Sequence, residues 1–138
     1  MTAKEYLKQI EVDRALIRRG HERLIELNSL RTSLKGVSYD GDKVQTSASN
    51  GMDSIERLLD FELKLREMIY RYIKLSDTII SQINGLPDLR AAELLYLRYV
   101  ELLRWEEIAV KMHMGIRGVY KAHGRALQLF EEKYKQFI

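Results

Sequence analysis

The sequence predicts an all-α protein in which two long helices joined by a loop precede three shorter ones. Three observations carry this expectation. Apolar residues recur at helical spacing along two long stretches of the 138-residue chain. Glycine, serine and aspartate gather between those stretches, where turns are favoured. The single proline, Pro87, follows Asn84-Gly85-Leu86; it disfavours helix for the residue before it and suits the first turn of the next helix.

The first helical stretch spans about 2–35. Tyr6, Ile10, Ile17, Leu24, Leu27 and Leu34 step by threes, fours and sevens and so form one stripe. Asp13, Gly20 and Arg31 fall on the same stripe, where they weaken a dry seam or mark its end. The second stretch spans about 52–84, with Ile55, Leu58, Leu65, Ile69, Tyr72, Ile79 and Ile83 at the same period. Asp53 near its start suits the positive end of a helix. Two such helices joined by a loop form an antiparallel hairpin, and each apolar stripe needs the other helix or a second chain to cover it. The joining segment, 36–51, carries Val37, Tyr39 and Val44 among its polar residues. An ordered loop folded over the hairpin is favoured over an arm reaching DNA or a partner, and a short extended piece is expected at Lys43 to Thr46. Residues 1–84 form one domain on this reading and residues 87–138 a second.

After Pro87 three helices are expected. The first covers about 88–102, with Leu89, Ala92, Leu95, Tyr99 and Leu102 inward. The second covers about 105–113, with Ile108, Ala109 and Met112 as apolar positions. The third runs from about Ile116 to Tyr134, burying Val119, Ala122, Ala126, Leu129 or Phe130, and Phe137 if it persists. A short helix, a tight turn at His113-Met114-Gly115 and a longer helix is the helix-turn-helix layout, whose second helix enters the major groove of DNA. Between Lys111 and Arg125 there is no Asp or Glu. Arg117, Tyr120, Lys121 and Gln128 fall away from the apolar stripe, as phosphate and base contacts require. Glu106 and Glu107 sit at the start of the second helix and complement its positive end.

Composition narrows the function classes. Net charge is +3, compatible with nucleic acid. There is no cysteine, so disulfides and thiolate metal sites are excluded and a reducing cytoplasm is the expected compartment. The charged N-terminus lacks the apolar core of a secretory signal, and no apolar run approaches the ~20 residues of a membrane span. His21, His113 and His123 show no metal-ligand spacing, and neither a phosphate-loop lysine motif nor a dinucleotide fingerprint is present. Paired acids such as Asp60 with Glu62, or Glu131 with Glu132, read as solvated faces. No catalytic residue, metal or cofactor is expected. His123 is expected to pack or to meet a phosphate. Trp105 is expected in the core or at its rim.

The run from Leu94 to Leu127 resembles region 4 of bacterial RNA polymerase sigma factors. Glu107-Ile108-Ala109 matches the family's first motif helix, Met112 to Gly115 its turn, Val119 its buried valine and Ala126-Leu127 its close. Arg98-Tyr99, Trp105, Val119-Tyr120 and His123 to Leu127 more closely resemble phage regulators of the ArpU and RinA type, as does the upstream stretch with Ser38-Tyr39 and Lys43 to Ser47. The resemblance implies a phage or prophage transcriptional regulator that binds double-stranded DNA. Three departures stand out: Arg104 where a capping Ser or Thr is usual, Gly115 for a Ser at the next cap, and Ile116 with Gly118 at positions often charged. The DNA-facing candidates are Lys111, Arg117, Tyr120, Lys121 and Arg125. RNA polymerase and a second copy, through the N-terminal helices, are the further candidate partners. Two alternatives share this layout: a polymerase- or other protein-interaction module that has lost DNA readout, and a small terminase subunit, which assembles into a ring.

Overall fold

The computed structural model describes the backbone of residues 1–37 and 44–138 and the side chains of residues 1–33 and 53–138. The described residues are helical and contain no strand. The helices are α1 (Ala3–Val37), α2 (Val44–Asn84), α3 (Leu89–Leu95), α4 (Trp105–Lys111) and α5 (Ile116–Tyr134). A π-helical stretch, Tyr96–Val100, continues α3, and a 3₁₀ turn, Lys135–Phe137, follows α5.

Each helix start has a local cause where side chains can supply one. Thr2 and Glu5 form a reciprocal cap on α1: Thr2 N donates to Glu5 Oε2 at 2.8 Å and Glu5 N donates to Thr2 Oγ1 at 3.2 Å. Those bonds with Thr2, the backbone one foremost, hold the Glu5 carboxyl below its ordinary range. Asp88 caps α3, its Oδ1 accepting from Arg90 N at 3.0 Å and Ala91 N at 3.2 Å. Pro87 thus precedes a capping residue rather than entering the helix itself.

Helix α1 runs to Val37 and α2 begins at Val44, so residues 36–37 and 44–51 of the expected loop are helical, and so is the extended piece expected at Lys43 to Thr46 from Val44 onward. Asp53 accordingly lies well inside the helix rather than at its positive end. The expected roles of residues 38–43, and of the side chains of Leu34, Val37, Tyr39 and Val44, lie outside the described residues.

The chain packs as two compact units, Met1–Arg14 with Tyr72–Ile138, and Ala15–Arg71. The boundary expected at Asn84 to Pro87 therefore falls inside the first unit. There Leu7 and Ile10 of α1 and Ile79 and Ile83 of α2 share one core with Leu94, Leu95, Ile108, Val119 and Phe130. Tyr6 donates to the buried Gln82 Oε1 at 2.9 Å, which satisfies a polar pair inside that core. Arg14 donates to Val100 O at 2.9 Å. Gly85 leaves room for the Tyr134 hydroxyl, which would lie 2.5 Å from a methyl at that position.

In the second unit α1 and α2 meet at Gly20, where a methyl would lie 2.6 Å from Leu65 Cδ1. Gly20 therefore admits a neighbouring side chain rather than ending the stripe. Leu27, Leu30 and Arg31 of α1 line a cleft with Ser54, Arg57 and Leu58 of α2. Leu58 and Leu65 are buried, as their stripe requires.

Three inward expectations fail in the first unit. Leu102 is neither buried nor packed against the core, because the helical stretch expected to reach it ends at Val100 and Leu102 turns the chain with φ 58°. Leu89 is 81% exposed, because the cap at Asp88 starts α3 with Ala91, Ala92, Leu94 and Leu95 facing the core. Phe137 is 55% exposed, because α5 gives way to a 3₁₀ turn that rotates the last residues off the buried stripe.

Candidate nucleic-acid interface

The geometry that exposes the basic face begins at the end of α3. The π-helical stretch closes with Glu101 N donating to Tyr96 O at 3.0 Å, and Leu102 turns the chain with φ 58°. A left-handed leucine costs roughly 1–2 kcal/mol, offset here by bonds that fix the turn. Leu103 N donates to Leu97 O at 3.0 Å, and Arg98 donates to Leu103 O at 2.9 Å. The chain then enters α4 at Arg104, whose side chain pairs with Glu107 at 3.1 Å instead of capping the helix. The departure from a capping Ser or Thr is thus a real difference in how α4 starts.

The turn between α4 and α5 has a similar construction. His113 adopts φ 54°, Met114 N donates to Ala109 O at 2.9 Å, and Arg90 of α3 donates to Met112 O at 3.1 Å. Gly115 starts α5 in an extended conformation without a side-chain cap. These contacts set the angle at which α5 leaves the turn.

Along α5, Val119, Ala126 and Phe130 are buried, and the helical period places Arg117, Lys121 and Gln128 opposite them. Arg117, Lys121 and Arg125 are exposed. Among the described residues none of the three makes an ion pair. Arg125 leans toward α3, where Arg90, Lys121 and Arg125 line a cleft of ≈ 340 Å³. Tyr120 leans the other way; it is 49% exposed and meets Trp105 edge-on at 5.5 Å. Lys111, the remaining candidate, is exposed on α4 with its Nζ 3.6 Å from Glu101 Oε2, so part of its charge is already answered.

Trp105 is the hub of a lateral cluster. The Arg98 guanidinium lies 4.2 Å from its ring centre, and His123 packs edge-on at 4.6 Å. His123 Nε2 and the Tyr99 hydroxyl share a hydrogen bond at 2.7 Å. Burial, then Lys4 and Arg98, push the imidazole down to about 4. Burial pushes the Tyr99 phenol up to about 12, against the opposing pull of Arg98. His123 is therefore neutral at physiological pH and packs in the protein. Of its two expected roles, the phosphate contact is not the one this geometry serves.

Sequence reasoning missed Arg90 and the Tyr99–His123 pair. Both contacts join residues more than twenty positions apart, which periodicity cannot register. Among the described residues no group of three or more His, Cys, Asp or Glu is placed to hold a metal, and no helix is long and apolar enough to cross a membrane. Compared with protein-family models, curated proteins and solved structures, the chain matches none.

Proposed function

We propose that the chain is a cytoplasmic, phage- or prophage-encoded transcriptional regulator, without enzymatic activity, that binds double-stranded DNA. In this reading α4, the turn and α5 act as a sigma region 4-like helix-turn-helix. The long helices α1 and α2 form a hairpin for dimerisation or for contact with RNA polymerase. One observation carries the proposal: Arg117 and Lys121 stand exposed and without an ion pair among the described residues, opposite the buried Val119, Ala126 and Phe130. A helix anchored on one side and cationic on the other is the form that enters a major groove. Arg117 and Lys121 would reach bases or nearby phosphates, and Arg125 and Lys111 would hold the backbone. The test is a mobility shift on DNA from the surrounding phage or prophage, comparing the native chain with the double variant Arg117→Ala, Lys121→Ala. Loss of at least about tenfold in affinity is expected, from roughly 1–3 kcal/mol per base-contacting residue. Equal binding by the two proteins overturns the assignment of α5.

A second reading, a protein-interaction module on the same framework, is favoured by apolar residues exposed on α4 and at the start of α5. Val110 is 75% exposed and Ile116 38% exposed. Salt titration separates the two readings. Each phosphate contact contributes a log–log slope of about 0.9 with duplex DNA, and a purely protein-binding face contributes none.

A further inference from the structure

Resting on the reading that α5 faces DNA, we infer that the cleft between α3 and α5 is a seat for a backbone phosphate and that Arg90 is a DNA-contacting residue. The cleft brings Arg90 of α3 beside Lys121 and Arg125, which lie one turn apart on α5. Three of its lining residues are small, Ala91, Ala122 and Ala126, and Met112 and Met114 line it at the turn. Arg90, Lys121 and Arg125 are the three cations that line this space.

Arg90 is held in place for this role. One of its five N–H donors is committed to Met112 O at 3.1 Å, which restrains the guanidinium and leaves other donors for a ligand. A guanidinium already oriented loses less freedom on meeting a phosphate than a free lysine does. The one carboxylate lining the cleft is Asp88, and its Oδ1 is committed to the α3 cap through Arg90 N and Ala91 N. Three cations against one carboxylate leave the cleft with an excess of positive charge. On the α5 reading, Lys121 and Arg125 already lie at the rim of the groove. An anion beside them is then the phosphate of the strand that α5 straddles, and α3 reaches the same strand through Arg90.

The experiment uses the full chain and a fluorescent duplex, with anisotropy followed over a range of salt concentrations and on unrelated sequences. Arg90→Gln keeps an amide donor and removes the charge. It is expected to lower the log–log salt slope by about 0.9 and to weaken binding roughly 3- to 10-fold, equally for every sequence. Asp88→Ser keeps a capping oxygen and removes the opposing charge, so it is expected to tighten binding roughly 2- to 5-fold. Asp88→Ser decides the matter if Arg90→Gln fails to fold. The seat is overturned if these variants leave slope and affinity unchanged while the Arg117, Lys121 double variant still loses DNA; the regulator reading then stands without it. It is equally overturned if Arg90→Gln spares DNA but abolishes binding to an acidic polypeptide such as polyglutamate. A native chain with no salt-dependent DNA binding removes both readings together.

Discussion

The two units use the same amphipathic helices to different effect. In the unit formed by 1–14 and 72–138, parts of all five helices share one core, and Leu7, Ile10, Ile79, Ile83, Leu94, Leu95, Ile108, Val119 and Phe130 are sealed. In the unit formed by 15–71 the described residues belong to two helices, α1 and α2. Leu58 and Leu65 are buried there, yet Ile25, Leu30, Leu59, Leu63 and Tyr70 are each more than half exposed. A pair of helices can cover one stripe on each member, and any further apolar residue stays in water. The same apolar content therefore makes a jigsaw in one unit and a single seam in the other.

Truncating one buried side chain in each unit should expose that contrast most strongly. Phe130 is fully buried and touches the rings of Tyr6, at 6.1 Å between centroids, and Tyr134, at 4.9 Å. Phe130→Ala is expected to cost about 3–5 kcal/mol. Leu65→Ala is expected to cost less, about 2 kcal/mol, because the gap opens beside Gly20 on a two-helix seam that can close. Urea unfolding followed by circular dichroism measures both. Equal losses would mean that the seam is as tightly constrained as the core.

The periodic part of this architecture was legible in the sequence. Tyr6, Ile10, Leu58, Leu65, Ile79, Ile83, Ile108, Met112, Val119 and Ala126 are expected inside from spacing alone and are buried. Spacing repeats down a helix and needs no knowledge of the partner. The division of the chain was not legible, because nothing in a continuous stripe records that its partner changes between Arg14 and Ala15. Leu89 was misplaced because periodicity gives a stripe without fixing which residue starts it, and Asp88 does so here. The π-helical stretch Tyr96–Val100 escaped for a related reason: one widened turn leaves no composition signal. At the candidate interface, the exposed side of α5 followed from its apolar side. Arg90 and His123 did not, since their surroundings come from other helices.

Two glycines sharpen the comparison at intermediate size. A methyl at Gly85 would crowd the Tyr134 hydroxyl and also lie 3.3 Å from Ser81 O, a backbone atom that cannot swing away. Gly85→Ala is expected to destabilise by about 1–3 kcal/mol. A methyl at Gly20 meets only the end of Leu65, which can change rotamer, and alanine adds up to about 1 kcal/mol of helix propensity. Gly20→Ala is expected to be nearly neutral. Thermal unfolding of the two variants tests this, and a large loss at Gly20 with none at Gly85 would reverse the assignment of which unit is rigid.

Acid tests the first unit alone. The folded protein keeps His123 neutral down to about pH 4, whereas an unfolded chain takes up the proton near the ordinary value of 6.5. Below pH 6.5 the unfolded state therefore binds more protons, and stability falls as pH is lowered toward 4. For a sealed group a shift of that size would amount to roughly 3 kcal/mol. His123 is only half-buried, and solvent screening brings the expected contribution to about 1–2 kcal/mol. His123→Gln removes the titration while leaving an amide to face the Tyr99 hydroxyl. Subtracting its unfolding free energy from that of the native chain at pH 7.5 and at pH 4.5 cancels the carboxylates common to both proteins. The native advantage should shrink between those two pH values; an advantage that stays constant would place His123 in a more solvated setting than its contacts with Tyr99 and Trp105 provide.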